Sequence, residues 1–162
     1  MRTRRLALSA LLAAVALTIF VLESQIPIPI PVPGLRLGLS NIITIFALFA
    51  LGWKEALAIL LVRIVLGNLF SGQVTAMLYS LGGGLCCFAA IALRRPHLQA
   101  KQVWIAGVVG GIFHNFGQMA VAVAVSGTKE LLLYLPVLLL CGMATGALTG
   151  LCAQLLLRRR LK

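Results

Sequence analysis

Four polar residues interrupt apolar segments of this sequence at positions where a ligand could bind. Arg63 lies midway along one apolar run, and His114, Asn115 and Gln118 lie near the middle of another. Spacings of three and four residues allow the side chains of 114, 115 and 118 to share one helical face. An arginine with amide and imidazole groups suits a polar or anionic ligand. The alternative is that these groups only hydrogen-bond one helix to another.

Five more polar residues are expected near one end of the same segments. Asn41 lies near the end of an apolar run, Asn68 and Ser71 end the next, and Glu23 and Arg36 lie in the first connection. Together with the first four residues, they predict a polar cavity that opens on the outer side of a membrane. For the two asparagines, hydrogen bonding between helices is an equally good interpretation.

Catalytic chemistry has little support in the sequence. The chain has no aspartate, and its three glutamates, Glu23, Glu55 and Glu130, are far apart. Clustered carboxylates that hold Mg²⁺ are therefore not expected. No P-loop, nucleophile elbow or HExxH motif occurs. We expect no enzymatic activity from the chain alone and no catalytic residue.

The four cysteines are interpreted as packing thiols. Cys86 and Cys87 are neighbours, while Cys141 and Cys152 are expected at different depths of another segment. No CxxC pair is present, and a shared metal site would need ligands at similar depth. We expect neither a metal nor a cofactor.

The composition is that of a membrane protein. Of 162 residues, 61% are hydrophobic and 10% are charged, and the mean hydropathy is +1.07. Soluble domains carry about 25% charged residues. In this interpretation the net charge of +11 comes mainly from cations that lie on the inner side of the membrane and set the orientation of the chain. No nucleic-acid partner is expected.

Apolar segments of the length a bilayer requires predict a single all-α membrane domain over residues 1–162, with six transmembrane helices. The first segment resembles a signal peptide at its basic start, but a small-residue cleavage pattern is missing, so we interpret it as a span. Between the first and second segments, four prolines alternate with Ile and Val, which predicts an extended outer loop. The six predicted spans are 6–22, 39–51, 56–70, 72–93, 103–125 and 131–157.

Charge placement predicts that both termini are cytoplasmic. With six spans, 11 of the 14 cations lie on the inner side, Arg36 and Lys129 lie outside, and Arg63 lies within a span. Merging the second and third spans would move basic loops to the outside. The inner cations are Arg2, Arg4, Arg5, Lys54, Arg94, Arg95, Lys101, Arg158, Arg159, Arg160 and Lys162.

Small residues at intervals of four predict close helix packing. Gly142, Gly146 and Gly150 form such a face on the sixth span, and Gly107 and Gly111 form one on the fifth. We interpret both faces as packing within the molecule. Ala10 and Ala14 form a similar face on the first span, which we interpret as a docking face for a partner membrane subunit.

Five stretches resemble a family labelled Gx transporter or heptaprenyl diphosphate synthase component I. They run in order along nearly the whole chain: residues 30–41 (IPVPGLRLGLSN), 52–56 (GWKEA), 67–72 (GNLFSG), 114–118 (HNFGQ) and 135–137 (LPV). That family is similar to the substrate-binding (S) components of energy-coupling factor transporters, which are six-helix bundles.

The resemblance implies three possible functions. An S component would bind a small, vitamin-like molecule from the outer side of a bacterial inner membrane, with a membrane coupling subunit and ATPases as partners besides membrane lipid. Its proline-rich loop would be the outer lid. The synthase label implies a non-catalytic accessory role in making the menaquinone side chain. A third role, in flavin-linked electron transfer, is also associated with the family.

Overall fold

A computed structural model describes residues 2–26, 36–72, 74–99 and 101–160, and only the backbone at residues 2, 74 and 160. The regular elements of the described residues are all helices, which confirms the all-α prediction for this part of the chain. The proline-rich segment, predicted to be an extended lid, falls mainly at 27–35 and lies outside the described residues. The helices are α1 (Arg2–Glu23), α2 (Asn41–Ala50), α3 (Trp53–Phe70), α4 (Val74–Arg94), α5 (Val103–Ser126) and α6 (Leu135–Arg160), with 3₁₀ turns at Arg95–His97 and Lys129–Tyr134.

Among the described residues, four helices are long and apolar enough to cross a membrane. These spans are Thr3–Glu23, Thr75–His97, Val103–Ser126 and Lys129–Arg159. Helix α2 has 10 residues and is about 15 Å long, half of the roughly 30 Å hydrocarbon layer. Helix α3 has 18 residues, three of them charged. That α2 and α3 also cross therefore stays a prediction.

The three C-terminal helices pack through glycine. A Cβ added at Gly107 would overlap the carbonyl oxygen of Gly146, and one at Gly111 would overlap that of Gly142. On the other side of α5, a Cβ at Gly110 would lie 2.6 Å from Cδ1 of Ile91 on α4. Because glycine has no side chain, the three backbones approach closely. The glycine faces predicted on α5 and α6 therefore pack against each other within the molecule.

The three N-terminal helices form the other part of the bundle. Phe20 of α1 packs against Gly67 of α3, where a Cβ would overlap the aromatic ring. Near the opposite end of α1, Arg4 and Arg5 border an open cleft whose far wall includes Leu51. The start of α1 and the turn between α2 and α3 therefore lie at the same end of the bundle.

Helix α2 begins inside the bundle rather than at its edge. Its first residue, Asn41, contacts Arg63, which is well inside α3. The backbone enters this position through Gly38, whose φ of +81° is in the left-handed region. Helix α2 then ends at Ala50, and Gly52, with a φ of +124°, precedes the first residue of α3. The first N–H groups of α2, at residues 41–43, donate to the carbonyl oxygens of residues 38–40. The backbone donors that face the interior at this end are therefore those of the turn before the helix.

Candidate functional site

Buried polar side chains meet at the level where α2 begins. Most of the predicted site residues are among them, and we call this cluster the polar centre. Helices α1, α3, α4 and α5 contribute to it, as do the start of α2 and the segment that leads into it. Its members are Glu23, Arg36, Ser40, Asn41, Arg63, Asn68, Ser80, His114 and Gln118, each at most 5% exposed.

Glu23, the last residue of α1, binds the backbone at the start of α2. Its Oε1 accepts a hydrogen bond from the N–H of Gly38 at 2.5 Å, and its Oε2 accepts one from the N–H of Ser40 at 3.4 Å. A carboxylate is favoured there because the N-terminus of a helix carries a partial positive charge. Glu23 therefore caps α2 from another helix.

Arg63 of α3 is also directed at the start of α2. Its Nη1 donates to Oγ of Ser40, and its Nη2 donates to Oδ1 of Asn41 at 2.6 Å. Its Nε has no hydrogen-bond partner among the described residues. The two acceptors that bind this buried guanidinium in the described chain are therefore neutral side chains.

Arg36 joins three helices although it lies outside all of them. Its Nη1 donates to the carbonyl oxygen of Phe20 at 3.1 Å, its Nη2 to Oδ1 of Asn68 at 3.4 Å, and its backbone N–H to Oε1 of Gln118 at 3.3 Å. Burial lowers the pKa of Arg36, and the charge of Glu23 raises it. The guanidinium nevertheless stays charged at neutral pH.

An aromatic ring lies beside both guanidinium groups. The Cζ atom of Arg36 is 3.9 Å from the centre of the Phe20 ring, and that of Arg63 is 5.8 Å from it. The face of an aromatic ring attracts a cation at such distances. Phe20 therefore helps to hold two like charges in a buried site.

The two predicted helical neighbours on α5 lie together. Nε2 of Gln118 and Nε2 of His114 are 3.0 Å apart, as the four-residue spacing predicts. Asn115 differs, because its Nδ2 donates to the carbonyl oxygen of Leu138 at 2.5 Å and so connects α5 to α6. The expectation that all three share one face therefore does not hold for Asn115.

Other predicted residues make local contacts. Oγ of Ser71 donates to the carbonyl oxygen of Gly67 at 2.6 Å, one turn earlier in the same helix. Ala10 and Ala14 are exposed on α1, so their face is uncovered by the described chain. In the described residues, no three His, Cys, Asp or Glu side chains are grouped as metal ligands would be.

Three residues of the site were missed in the sequence. Ser40 precedes Asn41 at the start of α2, and such a pair often begins a helix, so this signal was available. Ser80 is buried in α4 with no partner for its Oγ in the described chain, and Phe20 is an ordinary apolar residue of α1. Neither of these two has a sequence signal, because their roles depend on tertiary contacts.

A small cavity lies between these groups. Its volume is about 10 Å³, which is room for about one water molecule. Phe20, Ile64 and Gly38 line it together with charged and polar members of the polar centre. Two arginines and one glutamate line the cavity, so its lining carries a net positive charge and has more hydrogen-bond donors than acceptors. It is suited to an oxygen-rich or anionic group.

This fold and site define an α-helical membrane bundle with a buried, positively charged polar centre. A sequence profile described as heptaprenyl diphosphate synthase component I matches residues 12–156, and the chain belongs to that family. The family resemblance seen in the sequence is thereby confirmed. Comparisons with curated proteins and with solved structures found no significant match.

Proposed function

We propose that the protein is a membrane component that binds a small polar or anionic molecule in the polar centre. One observation carries this proposal. Arg36 and Arg63 are both buried, whereas the one acid beside them, Glu23, is bound by backbone N–H groups. Buried charge at membrane depth is costly, and it is usual where a ligand or ion must be recognised.

The hydrogen bonding of the site supports a ligand rather than packing alone. Nε of Arg36, Nε of Arg63 and Oγ of Ser80 are buried without a partner in the described part of the chain. A buried polar group without a partner costs about 1–3 kcal/mol. Because the cavity holds about one water molecule, binding of anything larger requires the surrounding helices to move apart.

The proposed component is not an enzyme by itself. The chain has only three acids, and Glu55 and Glu130 belong to the start of α3 and to the 3₁₀ turn before α6, away from Glu23. Energy for transport would come from partner subunits, a membrane coupling subunit and ATPases, with the exposed Ala10 and Ala14 face of α1 as the docking surface. The proposed location is a bacterial inner membrane with both termini cytoplasmic.

Native mass spectrometry of gently purified protein tests this function. We expect a small molecule that stays bound to the wild type and is lost in Arg63→Met. The matched control is Lys129→Met, which removes an exposed cation outside the site and should keep the ligand. Absence of any bound small molecule in the wild type, under conditions that keep the bundle folded, would contradict the proposal.

A second candidate rests on the family match. The family is described as component I of a heptaprenyl diphosphate synthase. In this candidate function the protein is a non-catalytic membrane component that works with a soluble synthase component. Basic residues such as Arg94 and Lys101, exposed at one end of the bundle, would be available for such contacts. Co-purification of a soluble prenyl synthase, reduced by Arg94→Glu and not by Arg63→Met, would favour this function over ligand binding.

A further inference from the structure

The carboxylate of Glu23 occupies a position that is itself an oxyanion site. Both of its oxygens accept backbone hydrogen bonds, from the N–H of Gly38 and from the N–H of Ser40. Helix N-termini bind free carboxylates and phosphates through backbone groups of this kind. Because α2 begins inside the bundle, the site lies in the interior and next to the cavity.

Independent donors surround the same position. Arg36, Arg63 and Ser80 line the cavity beside Glu23, and each is buried with one polar atom unpartnered among the described residues. One glutamate cannot satisfy the backbone donors and both guanidinium groups at once. An oxyanion that took the place of Glu23 at these N–H groups would therefore have unused donors beside it.

We propose that Glu23 is an internal substitute for the anionic group of the ligand. In the closed bundle its carboxylate occupies the N–H groups of Gly38 and Ser40. When a ligand enters, a carboxylate or phosphate group takes over these donors, within reach of Arg36 and Arg63, and the Glu23 side chain withdraws. This inference rests on the proposed function and adds the chemical class of the ligand: a molecule with one oxyanion group.

Glu23 and a ligand anion should compete for the same donors, because both are negatively charged. Two carboxylates that share one set of donors repel each other, so a ligand anion must displace Glu23 rather than join it. Neutralising Glu23 should therefore strengthen binding of an anion by about tenfold or more. If Glu23 instead bound the ligand directly, the same change would weaken binding.

Chemical rescue of a variant tests the inference. In Glu23→Ala the anion site is empty, and added acetate or inorganic phosphate can take its place. The readout is thermal unfolding in nanodiscs of neutral lipid, followed by the fluorescence of Trp53 and Trp104. We expect acetate or phosphate to raise the Tm of Glu23→Ala by several degrees more than chloride at equal ionic strength.

Two controls make the rescue specific. Glu130→Ala removes an exposed acid and should respond to acetate no more than the wild type does. The double variant Glu23→Ala with Arg63→Met should lose the rescue. An equal response to chloride, or an equal response of Glu130→Ala, would overturn the inference as an unspecific salt effect.

The oxyanion could belong to a free small molecule or to a lipid headgroup. Rescue by acetate or phosphate in neutral nanodiscs indicates a free molecule. Rescue only after phosphatidylglycerol replaces the neutral lipid indicates a headgroup. Both results support an oxyanion site, and absence of rescue in both settings would overturn it.

A second variant applies if Glu23→Ala does not fold. Glu23→Gln keeps the length of the side chain and one oxygen acceptor, and its affinity for acetate and phosphate can be measured by the same Tm shift. Tighter binding than in the wild type supports competition. If Glu23→Gln binds these anions no better while the wild type still retains its small molecule, this inference fails and the proposed function stands.

Discussion

Arg63 and Asn41 are 22 residues apart in the chain, and Nη2 of Arg63 donates to Oδ1 of Asn41 at 2.6 Å. This contact joins the interior of α3 to the first residue of α2. Arg63 thus binds side-chain acceptors at the start of α2, while Glu23 supplies the negative charge that a helix N-terminus favours. A hydrogen bond to a charged group contributes about 1.5–3 kcal/mol.

Asn41→Ala should therefore lower the free energy of unfolding by about 1.5–3 kcal/mol, because it removes one of the two acceptors of a buried guanidinium. Thermal unfolding in detergent micelles measures the change. The control, Gln99→Ala, removes an exposed amide and should shift the Tm very little. Equal shifts in the two variants would show that the contact adds nothing to stability.

Gly38 is expected to tolerate no side chain. A Cβ there would lie 2.7 Å from Nδ2 of Asn41 and 3.1 Å from Cδ2 of His114, and the φ of +81° disfavours any L-residue. We expect Gly38→Ala to lower the free energy of unfolding by about 2–4 kcal/mol. About 1–2 kcal/mol of this loss comes from the left-handed backbone conformation.

Gly72→Ala separates these two causes. Gly72 has a φ of +65°, but a Cβ there would have no atom of the described residues within 4 Å. Its substitution should cost only the backbone part, about 1–2 kcal/mol. If Gly38→Ala and Gly72→Ala unfold at the same temperature, the crowding around Gly38 does not contribute to the loss of stability.

The contact between α5 and α6 should be sensitive to one methyl group. We expect Gly111→Ala to destabilise the bundle by about 1–3 kcal/mol, because the added carbon overlaps the carbonyl oxygen of Gly142. Ala144→Val adds two methyl groups on an exposed position of α6 and is the control. Resistance to unfolding in SDS compares them, and a stable Gly111→Ala would contradict the tight contact.

Asn115 and Gln118 should have different roles although they are one turn apart. Asn115→Leu removes the hydrogen bond to Leu138 on α6, so we expect lower stability with ligand retention unchanged. Gln118→Leu removes the acceptor for the backbone of Arg36 and the contact with His114, so we expect weaker ligand retention. Native mass spectrometry and thermal unfolding of both variants test this separation. Loss of ligand in Asn115→Leu alone would reverse the assignment.

The membrane arrangement of α2 and α3 can be tested by labelling. If both helices cross, Lys54→Cys in a cysteine-free variant should react with an impermeant maleimide from the cytoplasmic side, as Arg94→Cys should. Lys129→Cys should react from the other side. Lack of reaction of Lys54→Cys from the cytoplasmic side, while Arg94→Cys reacts there, would indicate that the turn between α2 and α3 stays within the membrane.

The sequence predicted the long helices well, because α1, α4, α5 and α6 depend mainly on apolar length. It was less informative about where α2 begins. Residues 39–51 form one apolar run, but helix α2 starts at Asn41, and the turn before it contacts Glu23 and Arg63 from two other helices. No local pattern contains those contacts.

The polar centre was predictable only in part, because local spacing can be read from the sequence and tertiary contacts cannot. The spacing of His114 and Gln118 indicated a shared face, and both lie in the centre. Asn115 is one residue, or about 100°, further around the helix than His114, and there it meets α6. Phe20 could not be found, since its role comes only from the two guanidinium groups beside it.

The entry of the chain into α2 has a mechanical consequence. One apolar core includes buried residues from all six helices, and α2 packs against α6 as well as against α3. By contrast, the hydrogen bonds that join residues 36 and 37 to α5 and α6, from the N–H of Arg36 to Gln118 and from Thr145 to the carbonyl oxygen of Leu37, are long, at 3.3 and 3.4 Å. Tension on residues 36 and 37 would therefore break these weak hydrogen bonds first, while the apolar core that the helices share stays packed.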